Sequence, residues 1–330
     1  MTITRRTVLA GTALAAAPIG GSAALAQINP ATPSTASSGS QSQQAPGFYR
    51  YKVGDIEVTA INDGFARRPA EGFIKNAELK DVQAALQDAF LPTDAFPITF
   101  NTLVLNHGGK ITLIDTGNGD MGAPTSGRWM ANFRAAGFDP AQVNTVVISH
   151  FHGDHINGLR LKDGTAVFPN AEVMVPAAEW AFWMDDARMN QAPEAMKGAF
   201  QGARRVFGPI AQNVKRYEMD KEVVPGLTSI AAPGHTPGHT AYMLSSGSAK
   251  LMIMSDVTNH PALFVRNPDW SAIFDMDADQ ARATRRRMLD MAATERAQVA
   301  FYHAPFPATG HIAKEDNGFR LVPIQWSPAV

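Results

Sequence analysis

The stretch ISHFHGDHING, residues 148–158, constrains this chain more than any other. His150, His152, Asp154 and His155 crowd into six positions of a sequence with nine histidines in all. They follow VNTVV, an apolar run that reads as a buried strand. In a tight loop beyond a strand, His150 and His152 alternate and can face one point, while Asp154 and His155 turn toward a neighbouring one. Four ligands on so short a segment cannot all reach a single tetrahedral ion, so the spacing favours two metals over one. The sequence has no cysteine, which excludes disulfides, thiolate nucleophiles and sulfur-held zinc. A metal here is held by nitrogen and oxygen, a donor set that suits zinc, manganese, iron or cobalt.

Three further apolar runs each end in a ligand-type residue. AAPGHTPGHT presents His235 and His239 in a glycine-proline turn, LMIMSDVTNH ends at Asp256 with His260 four residues on, and VAFYHAPF ends at His303. Polar residues at the mouths of buried strands are where layered folds bind ligands. His235, Asp256 and His303 with the cluster make five histidines and two aspartates, enough for a dinuclear site. His107 and His311 have no such partner and read as ordinary histidines.

The rest of the pattern fits a layered α/β domain. ITFNTLVLNHGGKITLIDTG reads as a hairpin of two buried strands turning at His107-Gly108-Gly109. SGRWMANFRAAG has helical spacing and a glycine stop. Strands are expected near EVMVP, LTSIAAPG, TAYMLSSG and KLMIMSD, and a helix through DADQARATRRRMLDMAA. PAAEWAFWMDDARMN and QAPEAMKGAFQGARRVFG read as two helices inserted between the halves. No long polar linker interrupts residues 48–330, which are expected to form one domain. Ahead of it, residues 27–47, rich in Ser, Gln, Pro and Thr, read as a disordered tether. Residues 1–26 carry Arg5-Arg6, a short Ala/Gly-rich apolar stretch and Ala24-Leu25-Ala26, and resemble a twin-arginine export signal cleaved after Ala26. That expectation makes the twin-arginine machinery a partner and the periplasm or exterior the destination, without stable membrane association. With 29 basic against 30 acidic side chains, the chain has no field for nucleic acid.

The order H-x-H-x-D-H, G-H-T-P-G-H, a strand ending in Asp and a strand ending in His resembles the metallo-β-lactamase fold superfamily from about residue 48 onward. The resemblance implies a four-layer αββα sandwich with two metals at one edge of the sheets, zinc foremost and manganese, cobalt or iron as alternatives. It implies that His150, His152 and His235 hold one ion, that Asp154, His155 and His303 hold the other, and that Asp256 bridges them. His239 is then a supporting residue. The same resemblance implies hydrolysis by a metal-bridging hydroxide, with Asp154 accepting a proton, so Asp154 and Asp256 are the catalytic candidates.

Asp256 stands where antibiotic-hydrolysing relatives carry cysteine or serine. A basic glutathione-binding tail is lacking, and His152 stands where flavodiiron relatives have glutamate. DTG and PTSGR within 115–128, AFW at 181–183 and the tail GHIAKEDNGFRLVPIQW resemble the methyl parathion hydrolase group, organophosphate hydrolases allied to lactonases and arylesterases. On that basis Trp183, Trp180, Phe200, Met121 and His260 are candidate pocket residues. Gly122 and Ala199 stand where the group has larger residues, which suggests a widened pocket. The expected substrate is a small neutral ester: an organophosphate triester such as methyl parathion, a lactone or an aryl ester. A quorum-signal lactonase with only side activity on phosphotriesters is the alternative. An iron redox protein and a non-catalytic periplasmic metal-binding protein are readings of a different class, and a homodimer is a further expectation.

Overall fold

The computed structural model describes residues 44–328 and residue 330. The expected export signal, and the tether as far as residue 43, lie outside the described residues. Residues 44–47 carry no regular element, yet Gly47 is already tied to the domain. Its N–H donates to Asn132 Oδ1 at 2.9 Å, and its carbonyl accepts from Asn62 N–H at 2.8 Å.

Two seven-stranded sheets follow. The first takes β1 (Phe48–Val53), β2 (Ile56–Pro69), β3 (Ala95–His107), β4 (Lys110–Ile114), β5 (Val143–Val147), β6 (Glu172–Pro176) and β7 (Lys215–Tyr217) in chain order. The second runs from β14 (Gly318–Pro323) through β13 (Thr309–Glu315), β12 (Gln298–Ala300), β11 (Ala249–Ile253), β10 (Thr240–Ser246) and β9 (Leu227–Ala231) to β8 (Glu222–Val224). Helices α1 (Leu79–Asp88), α2 (Trp129–Ala135), α3 (Gly153–Ile156), α4 (Ala177–Trp183), α5 (Asp186–Gln191), α6 (Glu194–Phe207), α7 (Pro261–Phe264) and α8 (Ala278–Glu295) connect them.

Side-chain alternation makes the layers. On β3, Leu103 and Leu105 point between the sheets, where Tyr242, Leu244 and Ile253 of the second sheet meet them, while Val104 points outward. Outward residues Val104 and Val146 pack under Phe133 of α2 and Phe200, Val206 and Phe207 of α6. On the far side, Met252 and Val299 pack against Met288, Leu289 and Ala292 of α8. The order is helices, sheet, sheet, helices: the αββα sandwich. Strands buried on both faces read as continuous apolar runs, which is why they were visible in the sequence.

The topology gathers the ligands. β4 pairs parallel with β5 and β11 parallel with β12, while β9 and β11 both run antiparallel to β10. The carboxyl ends of β4 and β5, and those of β9, β11 and β12, therefore emerge at one edge of their sheets. A buried pair of hydroxyls locks the sheets there: Tyr217 and Tyr242 both donate to the Ile148 carbonyl, at 2.8 and 2.9 Å. No helix among the described residues is long and apolar enough to cross a membrane.

Candidate metal centre

The loop 148–156 leaves β5 and turns into α3, and it carries four ligand-type side chains in one turn. His235 arrives from the β9–β10 turn, Asp256 from the end of β11 and His303 from beyond β12. The structure brings them together as two groups. His150, His152, His235 and Asp256 form one and Asp154, His155 and His303 the other, each with its ligand atoms within 4.8 Å of one another.

In the first group His152 Nδ1 stands 3.1 Å from His150 Nε2 and 2.9 Å from His235 Nε2. Asp256 Oδ2 is 3.3 Å from His235 Nε2. In the second, Asp154 Oδ2 lies 3.6 Å from His155 Nε2 and 3.5 Å from His303 Nε2. Asp256 reaches both groups, with Oδ1 3.3 Å from His155 Nε2 and Oδ2 3.0 Å from His303 Nε2.

These residues fit two divalent cations. Two donors each about 2.1 Å from a tetrahedral ion stand roughly 3.4 Å apart, close to the separations found here. His155 Nε2 and Asp256 Oδ1 are buried without a hydrogen-bond partner, an arrangement that is costly unless a cation takes the lone pairs. Burial and the neighbouring histidines hold His150 and His152 well below the usual imidazole pKa, in the neutral form that ligates. Burial also disfavours charge on His155 and His235. Around His155 the carboxylates of Asp256, Asp154 and Asp115 outweigh it and raise the pKa, and Asp256 and Asp275 raise His235 to about 9. Acidic surroundings of that strength are what a dication would neutralise.

Behind four of the five histidines stands a group that fixes the ring. Asp115 Oδ2 is 2.7 Å from His155 Nδ1, and its other oxygen accepts the Ser149 N–H at 2.8 Å. Asp275 Oδ1 is 3.1 Å from His235 Nδ1. His303 Nδ1 faces the Thr99 carbonyl at 2.9 Å, and Ser149 Oγ is 3.1 Å from His150 Nδ1. Such partners leave the inner nitrogen's lone pair free for metal. His239 points away from both groups, with Nδ1 2.9 Å from the Ala232 carbonyl and Nε2 accepting the Asp256 N–H at 3.0 Å. It positions the backbone of Asp256. Asp115 and Ser255, each just beyond its strand, take left-handed backbone (φ 61° and 46°), a strained turn that aims the chain end into the site.

Glu179 of α4 is fully buried and joins the two ligand-bearing loops. Its carboxylate accepts from Phe151 N–H at 2.9 Å, Gly238 N–H at 2.7 Å and Trp183 Nε1 at 2.8 Å. Burial raises its pKa even against these donors.

The ligands floor an open cavity of about 470 Å³. Ile98, Phe100, Met121 and Phe274 form its apolar wall, Asn118 and Asn259 are polar, and Arg67 and Arg68 belong to it as well. Its lid, the loop around Met121 and Gly122, hangs from the buried Asp63, which accepts from Asn118 N–H and Trp129 N–H, both at 2.8 Å. Of the expected pocket residues only Met121 lines this space. Trp183 and Phe200, both 1% exposed, pack against each other in the helix-side core. Trp183 lies behind His152, with ring centroids 6.4 Å apart. Trp180 is half-buried on the same core, under the guanidinium of Arg216. Their helical spacing served packing, which the sequence alone did not separate from pocket lining. Ala199 joins the same core, so it widens nothing. His260 caps α7, its Nδ1 accepting from Ala262 N–H at 3.2 Å, and packs edge-on against Phe96. Burial and nearby His303 lower its pKa to about 4, and its neighbour Asn259 takes the lining position.

Sequence reasoning passed over Asp115, Asp275, Glu179, Arg67 and Arg68. Asp115 had a signal, since it follows directly on a strand end as the ligands do. Glu179 had none, being one acid in an apolar helix.

Residues 98–303 match the metallo-beta-lactamase superfamily model. An N-acyl homoserine lactonase from a Bacillus species is 24% identical over 191 residues, 58% of this chain and 64% of the relative. The chain thus spans somewhat less than two thirds of the length of that relative. Two solved structures superpose with TM-scores of 0.81 at 28% identity. One is hydrolase AbOPH in the beta lactamase superfamily, covering 86% of this chain and 100% of that one. The other is AidC, a dizinc quorum-quenching lactonase in complex with a product, N-hexanoyl-L-homoserine, covering 85% and 98%. With its ligand order, sandwich and matched region in agreement, the chain belongs to the metallo-beta-lactamase superfamily.

Proposed function

We propose that this protein is a metal-dependent hydrolase of esters, with lactones as its foremost substrates and zinc as its metal. The observation that carries this is a cavity floored by two ligand groups that share Asp256, with no serine, threonine, cysteine, lysine or tyrosine among the described residues that line it. The carboxylates and imidazoles there are the ones placed to hold metal, which leaves no hydroxyl, thiol or amine side chain to form an acyl-enzyme and makes water the nucleophile. The dizinc lactonase AidC and the lactonase relative support lactones as the substrate class.

Bound divalent cations would polarise the ester carbonyl and make water acidic enough to attack near neutral pH. The chain does the rest. Asp154 is the more solvent-reachable of the two carboxylates, 23% exposed at its side chain; with Oδ2 among the histidines, its other oxygen is left to take the proton of the attacking water and hand it to the leaving alkoxide. Asp256, nearly buried, holds the two groups in register. Phe100, Phe274, Ile98 and Met121 receive the acyl portion and keep bulk water from it. Aryl esters and dialkyl aryl phosphotriesters offer a similar electron-poor centre with a better leaving group, and they form the second substrate class of this reading. Export by the twin-arginine route, with cleavage after Ala26, is part of the same proposal and rests on the Arg5-Arg6 segment alone.

Assaying metal-loaded protein on a panel of lactones, aryl esters and phosphotriesters tests the reading. Ring opening of lactones that a chelator abolishes and zinc restores is the expected result. Metal-loaded protein that binds lactones without opening them would assign it instead to non-catalytic metal binding.

A further inference from the structure

Tyr302, just beyond β12, is buried at the metal edge of the sandwich, yet it belongs to neither ligand group and does not line the cavity. It touches all three residues of the second group. Its ring stacks on His155, with centroids 3.8 Å apart and planes 30° from parallel. Its hydroxyl donates to the backbone carbonyl of Asp154. His303 is its neighbour in the chain, and the two rings meet edge-on at 5.0 Å. The first group has no such neighbour among the described residues: the indole of Trp183 stays 6.4 Å from the His152 ring.

The hydroxyl contact answers a local need. In a continuing helix the Asp154 carbonyl would accept from the N–H four residues on. Helix α3 stops after one turn, and the Gly158 N–H donates to the Gly117 carbonyl at 3.1 Å instead. The phenol takes the place of that missing donor and holds the peptide that joins Asp154 to His155. A phenylalanine would fill the same space without doing so. Tyr302 is itself held from the opposite sheet. Asn101 of β3 donates to its carbonyl through both the backbone N–H and Nδ2, each at 2.9 Å. Nδ2 also reaches the Ala304 carbonyl at 2.9 Å, so the chain is tied down on both sides of His303.

We propose that Tyr302 is a positioning residue for the second ion alone, setting the geometry in which Asp154, His155 and His303 receive it. This rests on the two-ion reading of the site and is independent of the substrate. The stack restrains the His155 imidazole from its face, as Asp115 does from its edge. The phenol O–H fixes the backbone from which the Asp154 carboxylate extends. Outer partners of metal ligands are worth about 10- to 100-fold in metal affinity, and a buried ring pair roughly two- to tenfold.

Zinc affinities read in competition with a chromophoric chelator test this, with His303→Ala identifying which of the two stepwise constants belongs to the second group. Tyr302→Phe keeps the ring and removes the hydroxyl. It should weaken the second ion about tenfold and leave the first within about twofold. Tyr302→Leu removes the stack as well and should weaken the second ion by a further factor of roughly two to ten. In the His303→Ala background, where the second group is already lost, Tyr302→Phe should leave the remaining constant unchanged. Melting of the metal-free proteins, followed alongside, reads any loss of fold separately from metal affinity. Equal weakening of both ions would overturn the proposal and make Tyr302 a packing residue. Two unchanged constants in Tyr302→Phe and Tyr302→Leu would overturn it as well, with the two-ion reading intact. Wild-type protein that binds a single ion would overturn the two-ion reading and the proposal with it.

Discussion

Asp275 Oδ1 lies 3.1 Å from His235 Nδ1, and Asp275 Oδ2 lies 3.2 Å from the guanidinium of Arg285, a residue only 1% exposed. Arg285 also donates to the carbonyls of Val257, Pro268 and Trp270, so α8 braces a metal ligand through one buried ion pair. Asp275→Asn removes the charge that orients and polarises His235. Removing such a partner costs about 10- to 100-fold in metal affinity, and chelator competition should find that loss in the first group before the second. Unchanged affinity would show that His235 needs no orienting carboxylate.

Arg285→Met should act differently. It leaves Asp275 buried and without its cation, which destabilises by about 3–5 kcal/mol. Denaturant unfolding of the metal-loaded protein should record that loss. A change below about 1 kcal/mol would mean that water replaces the guanidinium.

Glu179→Gln tests the clamp between the two ligand loops. The amide can keep one acceptor, but its NH₂ then faces N–H donors from Phe151, Trp183 or Gly238. Leaving buried donors unpaired costs about 1–3 kcal/mol, and the melting temperature should fall accordingly. Both metals should leave the variant faster, since both loops slacken. A lower melting temperature with unaltered metal release would make Glu179 a packing residue only.

Asp256→Ala should lower occupancy of both groups, because Asp256 is the one carboxylate that approaches histidines of each. His303→Ala should empty the second group and spare the first. Metal analysis of the two variants checks this. Equal loss in both would mean that the groups load as one unit.

Filling the cavity from Gly122 is not available. A Cβ there would meet Ser126 Oγ at 2.1 Å and Asn118 Cβ at 2.8 Å, so Gly122→Phe should disturb the lid and depress every substrate alike. Met121 faces the cavity and is the residue to change. Met121→Trp should penalise long acyl chains against short ones by roughly 10- to 200-fold in relative kcat/KM, the worth of one methylene in an apolar pocket. An unchanged ranking across a chain-length series would remove Met121 from the substrate path.

Much of this was legible in the sequence, for a physical reason. Strands buried on both faces are continuous apolar runs, and the residues that end them, His150, Asp256 and His303, are conspicuous because they are polar where burial begins. Support from a distance was not legible. Asp275 and Arg285 are ten residues apart around the start of α8, and nothing local separates Arg285 from the exposed arginines Arg286 and Arg287 beside it. Trp183 and Phe200 misled because an aromatic on an amphipathic helix looks the same whether it meets a core or a substrate. The short strands β7 and β8, three residues each, carry too little pattern to be seen before the sheets that hold them.

Lactone ring opening, as proposed, depends on two bound ions. Ring opening releases one acid equivalent, so base uptake at constant pH, followed while zinc is titrated into metal-free protein with N-hexanoyl homoserine lactone present, tests it most directly. Hydrolysis that rises to a plateau at two ions per chain, and vanishes in Asp256→Ala, is the predicted result. Full activity at one ion per chain, or no acid release from protein that has bound two, would contradict it.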